Sequence, residues 1–402
     1  MRIFSPFVTL CNVGFFSRLS YGLARTPVLP LFALSLGASP EAIGFVVGAS
    51  TITGIFFKLP SGALSDIIGR KTTLLAGLLV FALTPFAYVF VDSYSQLVTI
   101  RFVHGLATAV YGPVSMAIVI DIAGNQKGEK LALFSSVTII GNLIAAPLGG
   151  YLLYAIAKNQ PTLSDFHSVY LISGLSGIIA FLLSFRFFFG LRATTRETKG
   201  SLRGLLQRFW QGIKEVISDK RVIVTSNMEG IQNLSVGALE AFLPVYVVKI
   251  AGLSVFHAGF IWGVQIGITI LAKPVMGRIS DRYGRKPLVT SGLILCAVSL
   301  FIIPLTISFW ILLVLALLFG LGEAFVTSST AALVADICKK QHYGSAMGTF
   351  GTIYDIGHAS GPILAGILIA AMNYASAFAI IGGLLTTAAV FFVLTDRESL
   401  TV

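Results

Sequence analysis

Long apolar stretches alternate with short polar ones along the whole chain. A helix needs roughly 20 apolar residues to cross the hydrocarbon core of a bilayer. Twelve stretches suffice, at residues 7–36, 42–64, 72–91, 96–121, 131–157 and 168–190, then 222–250, 257–279, 287–307, 310–335, 344–371 and 375–395. The pattern predicts an all-α membrane protein of twelve transmembrane helices. Most connections are short. In the long central one, Leu202, Leu205, Leu206, Phe209, Ile213, Val216 and Ile217 recur at helical spacing among Arg203, Arg208 and Lys214. That spacing predicts an amphipathic helix on the membrane surface. The chain divides into a six-helix bundle at 1–190, a linker at 191–221 and a second six-helix bundle at 222–402.

Composition removes alternatives. Only 11% of residues are charged and 55% are hydrophobic, against about 25% charged in soluble domains. The solvent is therefore mostly lipid. A net charge of +11, from 28 Lys and Arg against 17 Asp and Glu, raises the question of nucleic acid. The charge sits instead in short loops on alternate sides of the spans, without a basic domain or stripe, so no nucleic-acid partner is expected. Arg70, Lys71, Lys127, Lys130, Arg285, Lys286, Lys339 and Lys340 all fall on one side. The positive-inside rule makes that side cytoplasmic, with both termini. The expected location is the cell's inner (plasma) membrane. Cys11, Cys296 and Cys338 are too scattered for a disulfide framework or a metal site. No small-residue cleavage site marks a removable signal peptide.

A polar motif between the second and third spans returns between the eighth and ninth. Gly62-Ala-Leu-Ser-Asp66-Ile-Ile-Gly69-Arg70-Lys71 matches Gly277-Arg-Ile-Ser-Asp281-Arg-Tyr-Gly284-Arg285-Lys286 at a constant offset of 215 (277 − 62, 281 − 66, 285 − 70). The offset also aligns Asn12 with Asn227, Gly44 with Gly259, Lys58 with Lys273, Gly105 with Gly320, Asp121 with Asp336 and Pro147 with Pro362. The halves are parallel copies of one fold.

Over essentially its whole length the sequence resembles the major facilitator superfamily, whose loop motif Gly-x-x-x-Asp-x-x-Gly-Arg-Lys it carries twice. Arg101-Phe-Val-His104-Gly105 resembles the family's Arg-x-x-Gln-Gly motif, with His in place of Gln. Gly357-His-Ala-Ser-Gly361-Pro362-Ile-Leu-Ala-Gly366 and Ala146-Pro147-Leu-Gly149-Gly150 are similar to the Gly-Pro-rich motif of drug:proton antiporters. The second copy has Ala for the first Gly, and its Gly pair comes one residue early. The resemblance implies two pseudo-symmetric six-helix bundles, with spans one, four, seven and ten lining a central cavity. It implies that Asp66 and Asp281 brace a helix of the opposite half. Arg70 would then pair with Asp121 and Arg285 with Asp336, as latches of a gate. Gly62, Gly69, Gly277 and Gly284 would permit tight turns and close helix approach. Pro147, Gly149, Gly150, Gly361, Pro362 and Gly366 would shape helix packing.

An ionisable side chain inside a span is costly and marks function by default. Arg25 and Glu240 share the offset (240 − 25 = 215), with opposite charge at equivalent places. They are expected to face one another, as a coupling pair or as a fixed ion pair. Glu323, deep in span ten, is a proton or cation site. Asp355 and His358, three apart, share a helix face and can pass a proton near neutral pH. Arg101 either tunes a carboxylate or binds an anion. Arg18 faces the cytoplasmic half of the cavity. His104 is read as a buried hydrogen-bonding group, and Lys58 and Lys273 as snorkelling cations.

Three functions compete. The first is a proton-coupled exporter of small amphipathic or drug-like compounds, a multidrug antiporter. The second is a transporter of one anionic metabolite or siderophore. The third is a non-transporting receptor or scaffold. An enzyme is not expected, because no nucleophile–base spacing or phosphate loop appears. Neither is a cofactor or metal; a proton gradient would supply the drive. The expected partners are a small-molecule substrate and the lipid bilayer, with the chain acting as a monomer.

Overall fold

A computed structural model describes residues 5–124, 126–158, 161–190, 219–338 and 343–394. The amphipathic segment 202–217 lies outside the described residues. The first half contains α1 (Pro6–Leu23), α2 (Val28–Ser35), α3 (Pro40–Ile68), α4 (Arg70–Ala87), α5 (Tyr94–Ile122), α6 (Lys127–Ala157) and α7 (Leu163–Gly190). The second contains α8 (Lys220–Val245), α9 (Val255–Tyr283), α10 (Arg285–Ile302), α11 (Phe309–Ile337), α12 (Tyr343–Ala371) and α13 (Tyr374–Leu394). Their starts follow ordinary capping chemistry. Ser5 accepts from the Val8 N–H, with Pro6 opening α1. Ser93 accepts from the Gln96 N–H before α5. Before α9, Ser254 and His257 close a reciprocal capping box. Large apolar side chains such as Phe90, Leu271 and Trp310 stay on the outside, as a lipid-facing surface requires.

Eleven segments among the described residues are long and apolar enough to cross a membrane, and the protein is a multi-pass, all-helical membrane protein. The first predicted span, 7–36, is the exception. It is two helices, broken at Ala24–Pro27. Pro27 has no amide hydrogen and disfavours helical backbone at Thr26. Arg25, expected within a continuous helix, stands in this break. Broken helices expose backbone polar groups at membrane depth, which is tolerated only inside protein or beside a cavity. Its offset mate Glu240 lies on unbroken α8, which ends in one π-helical turn at Tyr246–Ile250.

The chain separates into two compact units, Met1–Gly37 with Ala49–Leu205, and Ala38–Gly48 with Leu206–Val402. Each repeats the same helix partners. In unit 1, α1 packs on α6 and α7, and α4 on α5 and α7. In unit 2, α8 packs on α12 and α13, and α10 on α11 and α13. The core of unit 1 is built on Leu10, Phe81, Tyr111, Phe134 and Phe187. In unit 2, α8 is enclosed: every residue from Ser235 to Val245 is buried. Here α8 and α12 meet backbone to backbone. A Cβ on Gly357 would strike the Gly230 carbonyl, one on Gly361 the Leu234 carbonyl, and one on Gly237 the His358 carbonyl. Small residues permit this approach, which maximises van der Waals contact where no hydrophobic effect drives helix association.

Candidate functional site

Unit 2 places four acids at membrane depth. Glu229 on α8 is fully buried. Its Oε2 accepts from the Thr330 hydroxyl of α11 at 2.7 Å, and its Oε1 from Asn233 Nδ2 at 3.1 Å. Glu323 on α11 accepts through Oε2 from Gln265 Nε2 at 2.6 Å and from the Thr269 hydroxyl at 3.3 Å, both on α9. Glu323 and Thr330 are seven residues apart (330 − 323), two turns along one face of α11, hence about 10 Å by helical rise. The result is a polar track along α11 joining α9, α11 and α8. Among the described residues neither carboxyl is in an ion pair. Hydroxyl partners can donate to a carboxylate or accept from a carboxylic acid, so the track accommodates either form.

The other two acids lie elsewhere in unit 2. Glu240 Oε2 is 3.3 Å from His358 Nε2, across the α8–α12 seam. His358 stacks near Tyr354, with ring centroids 6.2 Å apart. The sequence grouped His358 with Asp355; both are buried on α12, but the imidazole reaches Glu240. Glu229 was not among the expected site residues. Its offset mate is Gly14 (229 − 215), so the repeat does not point to it. A carboxylate ten residues into a span was the signal that identifies it.

Unit 1 contributes cations, of which only Arg25 has an acid, Glu240, at the equivalent position of unit 2. Arg101 on α5 is fully buried and donates through Nη2 to Ser50 Oγ of α3 at 2.5 Å. The Tyr21 hydroxyl donates to the same Ser50 oxygen at 2.9 Å. Two guanidiniums lie over the Tyr21 ring, Arg101 at 5.5 Å and Arg25 at 5.7 Å from its centroid. His104 is buried beside them, its Nδ1 3.1 Å from the Tyr88 hydroxyl. Arg18 is half-buried on α1. The mate of Ser50 is Gln265 (50 + 215), so one position holds the polar partner of Arg101 in unit 1 and of Glu323 in unit 2.

The loop motifs form the second constellation. Arg70 donates to Asp121 and to the Ala117 carbonyl. Arg285 binds Asp336 at 3.1 Å and Asp281 at 2.5 Å, and its Nη1 reaches Ser280 Oγ. Asp66 lies on α3; its side chain is outside the described set. Gly69 and Gly284 both take φ of +96°, each as the residue before the next helix. That left-handed backbone is the reason for glycine there. Gly62 and Gly277 differ from expectation. They lie inside helices, and among the described residues nothing comes near an added Cβ except Pro113 at 3.7 Å from Gly62. A Cβ on Gly149 would meet Val28 at 3.3 Å and Leu23 at 3.7 Å. Both arginine–aspartate pairs have exposed carboxylates, and such pairs contribute about 0–1 kcal/mol. Asp121→Asn and Asp336→Asn are therefore expected to lower stability by less than about 1 kcal/mol each. A melting curve in lipid checks this, and a larger fall would make the pairs structural.

Among the described residues no group of three or more His, Cys, Asp or Glu side chains could hold a metal ion. The family model described as Major Facilitator Superfamily matches residues 10–272 and 234–401. An uncharacterized MFS-type transporter, MJ1560, of Methanocaldococcus jannaschii is 22% identical over 377 residues, 93% of this chain and 92% of the relative. Multidrug transporter MdfA of Yersinia pestis is 27% identical over 324 residues, 77% of this chain and 75% of the relative. Quinolone resistance protein NorA of Staphylococcus aureus is 21% identical over 399 residues, 98% and 96%. Among solved structures, the nucleoside transporter NupG superposes with a TM-score of 0.82 at 14% identity, covering 97% of this chain and 98% of that one. A duplicated six-helix plan, paired loop motifs and a family match across nearly the whole length lead to one conclusion: the chain belongs to the Major Facilitator Superfamily and is a secondary transporter, not an enzyme.

Proposed function

We propose that the protein works by alternating access as a proton-coupled exporter of small amphipathic or drug-like organic compounds. One observation carries this reading. Glu229 and Glu323 are two acids at membrane depth, held only by neutral hydrogen-bond donors among the described residues. A group so held can gain and lose a proton without breaking an ion pair, and acids within spans mark proton pathways. Relatives named for multidrug transport and quinolone resistance support the substrate class. In this reading the chain is a monomer in the inner membrane with both termini cytoplasmic, built as 1–190, 191–221 and 222–402. Asp66 and Arg70 of the first loop motif with Asp121 at the end of α5, and Asp281 and Arg285 of the second with Asp336 at the end of α11, act as breakable latches. Arg25 in unit 1 and Glu240 in unit 2, the latter 3.3 Å from His358, are the further candidates for proton coupling. A second reading, transport of a defined organic anion, is favoured by Arg18, Arg25 and Arg101.

Flux in sealed proteoliposomes separates the two. Acid-loaded vesicles are expected to take up a lipophilic cationic drug and to lose protons as they do so. Movement of organic anions alone would replace the first reading by the second. If neither class moves under any imposed gradient, both fail.

A further inference from the structure

The polar track of unit 2 has a cation beside it. Gln265, Thr269 and Lys273 follow at four-residue steps along one face of α9. The first two bond the Glu323 carboxyl, and Thr269 also donates to the Gly320 carbonyl at 3.0 Å, which fixes this face of α9 against α11. One helix separates α9 from α11, so the two run the same way across the membrane. Lys273 is one turn past Thr269, about 6 Å by helical rise. Thr330, the hydroxyl partner of Glu229, is about 10 Å past Glu323. Lys273 therefore stands level with the stretch of track between the two acids. It is half-buried, and its ammonium and the Glu323 carboxylate are both within electrostatic reach of Glu229. Among the described residues Lys273 closes no ion pair. From α10, the Cys296 thiol is within reach of both acids.

Charge decides what such a track holds. With both acids ionised and the lysine protonated it carries −2 + 1 = −1; the thiol adds nothing while it keeps its proton. Net charge at membrane depth is costly. One proton on either carboxyl brings the track to zero, and a second would take it past zero again. The repeat supplies an internal comparison. Subtracting 215 from Lys273, Glu229 and Glu323 gives Lys58, Gly14 and Thr108. The lysine recurs and the acids do not. Lys58 is exposed, as a snorkelling cation should be, whereas Lys273, expected to snorkel as well, is half-buried in the half that carries the acids.

We infer that Lys273 is the resident counter-charge of the Glu229–Glu323 track and sets its load at one proton, held on one carboxyl while the lysine balances the other. The inference rests on the reading of these two acids as the coupling site, and adds their stoichiometry. Lys273 acts as a positioning residue. Its ammonium sits on a flexible four-carbon stem and can turn toward whichever carboxylate is left ionised. A monovalent cation that displaces the proton leaves the charge of the track unchanged, so the exchange of one for the other is electroneutral there.

Infrared spectra of the full-length protein in lipid, recorded across pH, test this without a substrate. The part of the protonated-carboxyl band that the double variant Glu229→Gln, Glu323→Gln lacks belongs to the track. Two interacting acids titrate in steps that belong to the pair. Between its two steps the wild type is expected to show one protonated carboxyl. At the same pH Lys273→Met is expected to show two, a doubling of the track's band. Both of its steps should move up by about one pH unit or more, because losing a nearby positive charge favours the protonated acid. Lys273→Arg keeps the charge and is expected to restore the wild-type band, and Lys58→Met to leave it unaltered. A lysine that merely packs would change the melting temperature of Lys273→Met and not the band; Lys273→Gln gives the same comparison should Lys273→Met fail to fold. If the double glutamine variant removes nothing from the band at any pH, the coupling reading fails and this inference with it. If it removes a titrating band that Lys273→Met or Lys273→Gln leaves at wild-type position and intensity, this inference alone is overturned.

Discussion

Glu229→Gln and Glu323→Gln are each expected to lower proton-driven flux while the protein still folds. Glutamine keeps the shape and an acceptor oxygen, so the bonds from Thr330 to position 229 and from Gln265 to position 323 survive. At position 229 the amide nitrogen replaces Oε1 and forfeits the bond from Asn233, and at both positions the capacity to carry a proton is lost. The expected fall in gradient-driven transport is about 5- to 150-fold, the span of a coupling energy of about 1–3 kcal/mol between two sites. Substrate binding at equilibrium, and counterflow without a gradient, should persist. That contrast is the informative measurement. A variant that loses counterflow as well has lost its substrate site or its fold. Normal gradient-driven flux in both variants would remove the two acids from the mechanism.

Gly357→Ala and Gly361→Ala are expected to have the largest effects on stability. At each position the new methyl group would meet the backbone of α8, at Gly230 or Leu234, with no flexible side chain to move aside. The helices must separate, and the cost is roughly 1–3 kcal/mol or more per site. Gly351→Ala, on the same helix with no described residue within 4 Å of its Cβ, is the matched control and should be neutral or slightly stabilising. Thermal unfolding of the three variants in one lipid decides the matter. Equal melting temperatures would mean that the α8–α12 seam is looser than its backbone contacts imply.

The spans were legible because membrane crossing is a question of length and apolarity, and both are local. The family resemblance extended that reading to pairs far apart in sequence. Arg285 meets Asp336 at 3.1 Å although 51 residues separate them (336 − 285). The signal for the break in the first span was also present, in Pro27 and Pro30, but a count of apolar residues does not register it. The candidate site was less legible, for a different reason. Thr330 reaches Glu229 across 101 residues and between helices that the repeat does not relate. His358 reaches Glu240 only because the α8–α12 glycines let two backbones touch. Contacts of that kind depend on how helices are rotated in the packed bundle, and no spacing in the sequence encodes rotation.

Gly69 and Gly284 bear on the history of the chain. Their backbone angle is the same in both copies, while Ala63-Leu64 has become Arg278-Ile279 and Ile67-Ile68 has become Arg282-Tyr283. After the duplication, side chains around the loop drifted and the dihedral did not. What was inherited is a corner of fixed angle, and the two loops are interchangeable parts wherever that corner alone is required.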